Sequence, residues 1–192
     1  CATGGGKTQI FCEIIKQVSP SRCLILAHRT ELVAQACNRL RSFGIEAEIE
    51  QAELRASNTF WNRAPCVVAT PQTLAGGRMT RFKPRDFGYL IVDEAHRYLA
   101  PSFLKVIEYF RQNQELKVLG VTATPDCHDS LALSRVFQSV SFDIEICDLI
   151  DDGYLVPIDQ QMVKIEGLDF SQCRKTAGDL NGADLAAVME EE

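Results

Sequence analysis

The sequence predicts an α/β fold: a doubly wound parallel sheet covered by helices on both faces. Three observations carry that prediction. Short runs nearly continuous in Val, Ile, Leu, Ala and Cys recur up to Val121, as strands buried on both faces require. Amphipathic stretches with helical spacing lie between them. A glycine-rich turn ending in lysine stands directly before the first of those stretches.

The elements follow in order. Lys7–Val18 reads as a helix and Cys23–Ala27 as a strand. Thr30–Phe43 is a helix whose apolar face is Leu32, Val33, Ala36, Leu40 and Phe43. Ile45–Ile49 and Cys66–Ala69 are strands, Pro71–Leu74 a short helix, Tyr89–Val92 a strand, Pro101–Gln112 a helix and Lys117–Val121 the fifth strand. Strand and helix alternating in this way imply right-handed crossovers between parallel strands. After Pro125 the pattern loosens. Leu131–Phe137 and Glu145–Asp152 read as helices, the second closed by Gly153, Val156–Ile165 as a strand, and Asp184–Met189 as a helical stub.

With 192 residues the chain is long enough for one core-forming domain and a smaller appendage. A hydrophobic fraction of 46% and a charged fraction of 24% exclude disordered and fibrous classes. No apolar run reaches the length of a membrane span, and no signal-peptide pattern opens the chain. The net charge of −6 hides a division. Up to Val140 there are 17 Lys and Arg against 13 Asp and Glu, and from Ser141 onward 3 against 13. Uneven solvated faces would give the same split. The eight cysteines show no C-x-x-C pair and no zinc-finger spacing, so most are expected to be small reduced hydrophobes.

Cys1-Ala2-Thr3-Gly4-Gly5-Gly6-Lys7-Thr8 contains the Gly-Lys-Thr of a phosphate-binding loop. Glycines let backbone N–H groups converge on phosphates, and the following helix offers its positive end. Lys7 is suited to the terminal phosphates and the Thr8 hydroxyl to Mg²⁺. Cys1 stands where the strict motif has its first glycine. Tyr89-Leu-Ile-Val-Asp-Glu-Ala-His96 is an apolar strand running into two carboxylates. There Asp93 is placed to hold Mg²⁺, and Glu94 to orient and deprotonate a water.

These motifs, with Val121-Thr-Ala-Thr-Pro125, occur in the order of motifs I, II and III of superfamily 2 helicases and translocases, which the chain resembles. Leu24–Leu32 resembles motif Ia and Val67–Leu74 motif Ib. Within the superfamily the sequence is most similar to the group holding type III restriction-enzyme translocating subunits and related DEAH helicases. Leu149-Ile-Asp-Asp-Gly-Tyr-Leu-Val-Pro157 resembles the stretch that follows motif III in that group. The resemblance implies a RecA-like P-loop NTPase domain with ATP and Mg²⁺ as cofactors. Thr3, Gly4, Gly5, Gly6, Lys7 and Thr8 would bind ATP, Thr8 and Asp93 would hold the metal, and Lys7, Asp93 and Glu94 would be catalytic. His96, Thr122 and Thr124 would couple the nucleotide site to a nucleic-acid site. Arg29 and Thr30, and Thr70, Gln72 and Thr73, would meet backbone phosphates, although ordinary helix capping explains the same residues. The four cations of Arg78–Arg85 read either as a nucleic-acid contact or as a solvated loop. Phe82 and Trp61 could serve as stacking aromatics, but are expected to be buried or partly buried in the packing.

Departures from the family pattern count too. Cys127 stands where the group usually has arginine. The chain opens inside the phosphate loop, so the sheet is expected to lack its first strand. Residues 1–140 are read as the first RecA-like motor domain and 141–192 as an acidic connection toward a second one in the same polypeptide. The expected function is the ATP-binding motor domain of an ATP-dependent DNA helicase or translocase, inactive as an isolated piece. Its partner would be nucleic acid and its setting a bacterial or phage-like cytoplasm, without a membrane. The alternatives are a nucleotide-dependent switch or remodelling ATPase that binds no nucleic acid, and an RNA helicase.

Overall fold

A computed structural model describes residues 4–59, 61–97, 100–123 and 133–159, with the backbone of 175–176 and 179–180. Chain contacts divide it into two compact units, Cys1–Val156 and Pro157–Glu192. In the first unit five parallel strands form one sheet in the order β2-β3-β1-β4-β5. They are β1 (Cys23–Leu26), β2 (Ala47–Glu50), β3 (Cys66–Ala69), β4 (Tyr89–Asp93) and β5 (Lys117–Val121). In the second unit the described backbone is an antiparallel pair, β6 (Lys175–Thr176) and β7 (Asp179–Leu180).

Alternation along each strand sorts the core into two layers. Leu24, Leu26, Val67, Ala69, Leu90 and Val92 face one way, onto α3 (Pro71–Ala75), the two short 3₁₀ turns after it and α4 (Pro101–Phe110). Cys23, Ile25, Cys66, Val68 and Ile91 face the other way, onto α1 (Lys7–Gln17) and α2 (Thr30–Ser42). The continuous apolar runs are therefore explained: β1 and β3 are buried at every residue. On the α4 side, Phe103, Val106, Ile107 and Phe110 recur at helical spacing and are all buried. Phe87 there meets both Phe82 and Phe110 edge to face, with centroids 5.5 Å apart in each pair.

β2 begins two residues later than its apolar pattern predicts. The Ile45 N–H is taken by the Leu40 carbonyl at 3.0 Å, which closes the end of α2 and keeps Ile45 out of the ladder. Residues 133–137 make a single turn (Phe137 N–H to Leu133 carbonyl, 2.8 Å), with 131 and 132 outside the described residues. Gly120 gives that turn its seat: a Cβ there would lie 2.6 Å from Phe137 Cζ. α5 (Ile146–Asp151) forms and ends at Gly153, as expected. Residues 156–159 are not strand. The rest of the expected 156–165 strand and the 184–189 helix lie outside the described residues.

Part of the basic middle region turns inward. Arg22 is 5% exposed and donates to the Ala64 and Ser57 carbonyls at 2.9 and 2.7 Å. Glu50 at the end of β2 is fully buried, with Arg81 at 2.5 Å and Arg78 at 3.3 Å. Arg78 also donates to the Ala52 and Leu54 carbonyls, and Arg81 to Ala56. The solvated-loop and nucleic-acid readings of these two arginines thus give way to a clasp around residues 50–56. Its physical reason is a buried carboxylate that must be paired. Phe82 is buried as expected, but Trp61 is not: it stands 92% exposed. It belongs to an irregular connection between β2 and β3, where no periodic pattern seats a side chain against the sheet.

Candidate nucleotide site

Because all five strands are parallel, the residues that follow them share one edge of the sheet: Thr70 after β3, Asp93 and Glu94 at β4, Thr122 after β5 and Arg29 after β1. The strand order reverses direction beside β1, between β3 and β4, and such a switch point leaves a crevice at the carboxyl ends. A cleft of about 590 Å³ lies here. Gly4, Gly6, Lys7 and Thr8 line one wall, Asp93 and Glu94 the floor, and Leu32, Gln35, Ala36 and Arg39 of α2 the opposite wall. Its volume is in the range of small-ligand sites.

The loop that opens α1 carries Gly4 at φ +84° and Gly6 at φ +76°. Only glycine takes these values without strain, and no side chain caps the helix. Gly6 at the cap brings no side-chain acceptor to the first-turn N–H groups of α1, at an end that favours anions. Lys7 Nζ lies 4.0 Å from Glu94 Oε1, with its side chain 11% exposed.

Glu94 holds two anomalies at once. Its backbone sits at φ +51°, unusual for a residue with a side chain, and of the kind that gathers at functional sites. Its Oε2 is buried without a hydrogen-bond partner among the described residues. His96 Nδ1 is 3.5 Å from that oxygen but bonds Thr122 Oγ1 at 2.8 Å. Asp93 accepts the Glu94 N–H at 3.1 Å. Burial pushes the Asp93 carboxyl above its ordinary range and the Glu94 carboxylate adds to this, while that N–H and Lys7 partly offset it.

The expected residues do not all play alike. Lys7, Thr8, Asp93 and Glu94 converge on the cleft, and His96 joins Thr122 beside it. Thr3 and Thr124 lie outside the described residues. Thr70 is buried and caps α3, accepting the Thr73 N–H at 3.3 Å. The two hydroxyls are 2.8 Å apart, so capping accounts for both. Arg29, Thr30 and Gln72 are exposed, and Thr30 accepts from Gln51 Nε2 at 3.1 Å. The α2 wall was absent from the sequence expectations. Its signal was the spacing of positions 32, 35, 36 and 39, one helical stripe with Gln35 and Arg39 interrupting the apolar residues.

The donor set fits a nucleotide with Mg²⁺. Among the described residues no three His, Cys, Asp or Glu side chains gather into a metal cluster. Mg²⁺ typically needs only one or two protein ligands beside substrate phosphates, and Thr8 with Asp93 would supply such a pair.

This sheet, with a glycine loop opening a helix and two carboxylates ending a neighbouring strand, is that of a RecA-like helicase-type ATPase domain. The chain belongs to the family of the type III restriction enzyme res subunit, which it matches over residues 1–127. IRC3 of Saccharomyces cerevisiae, named as an inferred ATP-dependent helicase, is 31% identical over 98% of this chain and 29% of its own length. The mitochondrial counterpart in Schizosaccharomyces pombe is 31% identical over 100% of the chain and 31% of its own. The chain thus spans less than a third of these curated relatives. Among solved structures, the Pyrococcus furiosus Hef helicase domain superposes with a TM-score of 0.59 at 27% identity, covering 69% of this chain and 30% of that one. Saccharomyces cerevisiae Dbp5 bound to RNA and ADP BeF3 reaches 0.64 at 18% identity over 77% and 41%, a likeness of fold.

Proposed function

We propose that this domain binds ATP with Mg²⁺ in the cleft between α1 and α2 and serves as the first of two motor domains in a nucleic-acid helicase or translocase. The observation that carries the chemistry is Glu94 Oε2, buried and without a hydrogen bond among the described residues, on a carboxylate whose other oxygen, Oε1, lies 4.0 Å from Lys7 Nζ. A buried acceptor without a partner is costly, and an attacking water is the group that would satisfy it. Glu94 orients that water and takes its proton. Lys7 and the first-turn N–H groups of α1 hold the phosphates. Thr8 and Asp93 hold the metal, which supplies charge neutralisation on the phosphate oxygens. Thr122, through His96, links this centre to the strand edge where Arg29, Thr30 and Gln72 are exposed.

Support for a longer polypeptide is the chain's share of its relatives, 29% and 31%. DNA is proposed as the polymer because the matching family is that of a restriction-enzyme subunit. A cytoplasmic, bacterial or phage-like setting rests on motif resemblance and a lactococcal phage protein 26% identical over 95% of the chain, beside the mitochondrial relative. No helix among the described residues is long and apolar enough to cross a membrane.

The test separates binding from chemistry. In the full-length polypeptide, Glu94→Gln is expected to keep ATP affinity and lower hydrolysis by roughly 10²–10⁴-fold, while Lys7→Ala loses affinity. Unchanged hydrolysis in Glu94→Gln would refute the assignment.

A further inference from the structure

The stretch Leu149–Pro157 was singled out by resemblance, yet the chemistry above gives it no task. Its path leads back to the phosphate loop. α5 ends at Gly153, whose φ of +77° reverses the chain. The N–H groups of Tyr154 and Leu155 then both donate to the Leu149 carbonyl, at 2.8 and 2.9 Å. Leu149 is only 6% exposed, so the reversal is anchored in the body of the domain.

From that anchor the Leu155 side chain reaches Gly4. A Cβ built on Gly4 would lie 3.0 Å from Leu155 Cδ2, with Cδ1 and Cγ inside 4 Å. The φ of +84° favours glycine at position 4, and the leucine seated on it leaves a side chain there little room. The residues beside Leu155 make no comparable packing: Tyr154 is 76% and Val156 83% exposed.

A run of glycines is the least ordered backbone a chain can offer. An anion site made from its N–H groups binds well only when ordering is done before the ligand arrives. We propose that Leu155 is a positioning residue for the phosphate loop: seated on Gly4, it holds the loop ready for phosphate and ties nucleotide occupancy to the segment 145–156. The inference rests on the nucleotide reading of the cleft for its ligand, but not for the contact itself. Coupling is reciprocal, so a nucleotide that tightens the loop also tightens the reversal after α5.

Two readouts on the full-length polypeptide test this. The first is hydrogen exchange of the Gly4–Lys7 amides without nucleotide, which Leu155→Ala is expected to speed. The second is titration with a fluorescent ATP analogue and Mg²⁺, in which Leu155→Ala weakens binding roughly five- to 150-fold, the scale of coupling between two linked sites. Leu155→Met, which refills the space, restores both, and Val156→Ala changes neither. Equal loop exchange in wild type and Leu155→Ala overturns the proposal. A loosened loop in Leu155→Ala, with no analogue bound by wild type, upholds the contact and overturns the nucleotide reading instead. A third comparison needs no variant. Saturating analogue slows exchange at the Tyr154 and Leu155 amides of wild type, and unchanged exchange there overturns the coupling.

Discussion

Asp93, at the floor of the cleft, is a carboxylate whose ionisation works against stability. Burial and the adjacent Glu94 carboxylate raise its pKa above that of an unfolded carboxylate, about 4. The folded state therefore holds the Asp93 proton more tightly than the unfolded state does. The stability this gives is complete below about pH 4 and is lost as pH rises through the raised value. At neutral pH the ionised carboxylate is a net cost in the nucleotide-free domain. Asp93→Asn is accordingly expected to raise the Tm at pH 7, with the gain shrinking to nothing below about pH 4. A Tm difference independent of pH would show that the carboxylate's ionisation is not the cause. At this scale the sequence singled out Lys7, Thr8, Asp93 and Glu94, which line one cleft, because each stands in a short motif whose chemistry is local. It could not disclose that Glu94 adopts φ +51° or that its Oε2 is buried without a hydrogen bond among the described residues. Those facts depend on how β4, His96 and Thr122 meet in space.

Elements were legible where burial is symmetrical. β1 and β3 announce themselves as continuous apolar runs because both of their faces are covered. β2 was misplaced by two residues because Ile45 closes α2 rather than pairing in the sheet. The clasp between β2 and the turn after α3 was invisible for a different reason. Glu50 lies 28 residues from Arg78 and 31 from Arg81, and nothing local marks a carboxylate as buried. The clasp makes its own prediction. Removing Arg78 and Arg81 together leaves the Glu50 charge buried and unpaired, a loss of about 3 kcal/mol. Each arginine is about a quarter exposed, so either single Ala variant should cost less than half of that. Denaturant unfolding of the three variants measures it, and an effect within about 0.5 kcal/mol for the double variant would mean the residues are mere surface cations.

At the scale of the whole molecule, net charge is a poor guide to partners. The sequence up to Val140 is mildly basic and the remainder strongly acidic, and they sum to −6. Within the basic part, Arg22, Arg78 and Arg81 are spent on carbonyls and carboxylates inside the domain. What remains on the strand-end edge is a thin row: Arg29, Thr30 and Gln72. Contacts of that kind position a backbone without reading its sequence, and their affinity falls with salt. In the function proposed for the domain, Thr122 and His96 join this edge to the cleft. The rate of ATP hydrolysis in the full-length polypeptide, measured with and without single-stranded DNA for wild type and for His96→Ala, tests that link. DNA is expected to accelerate wild type, added salt to remove the acceleration, and His96→Ala to keep a basal rate that DNA no longer raises. Hydrolysis indifferent to DNA and to RNA in wild type would contradict it, and so would full stimulation in His96→Ala.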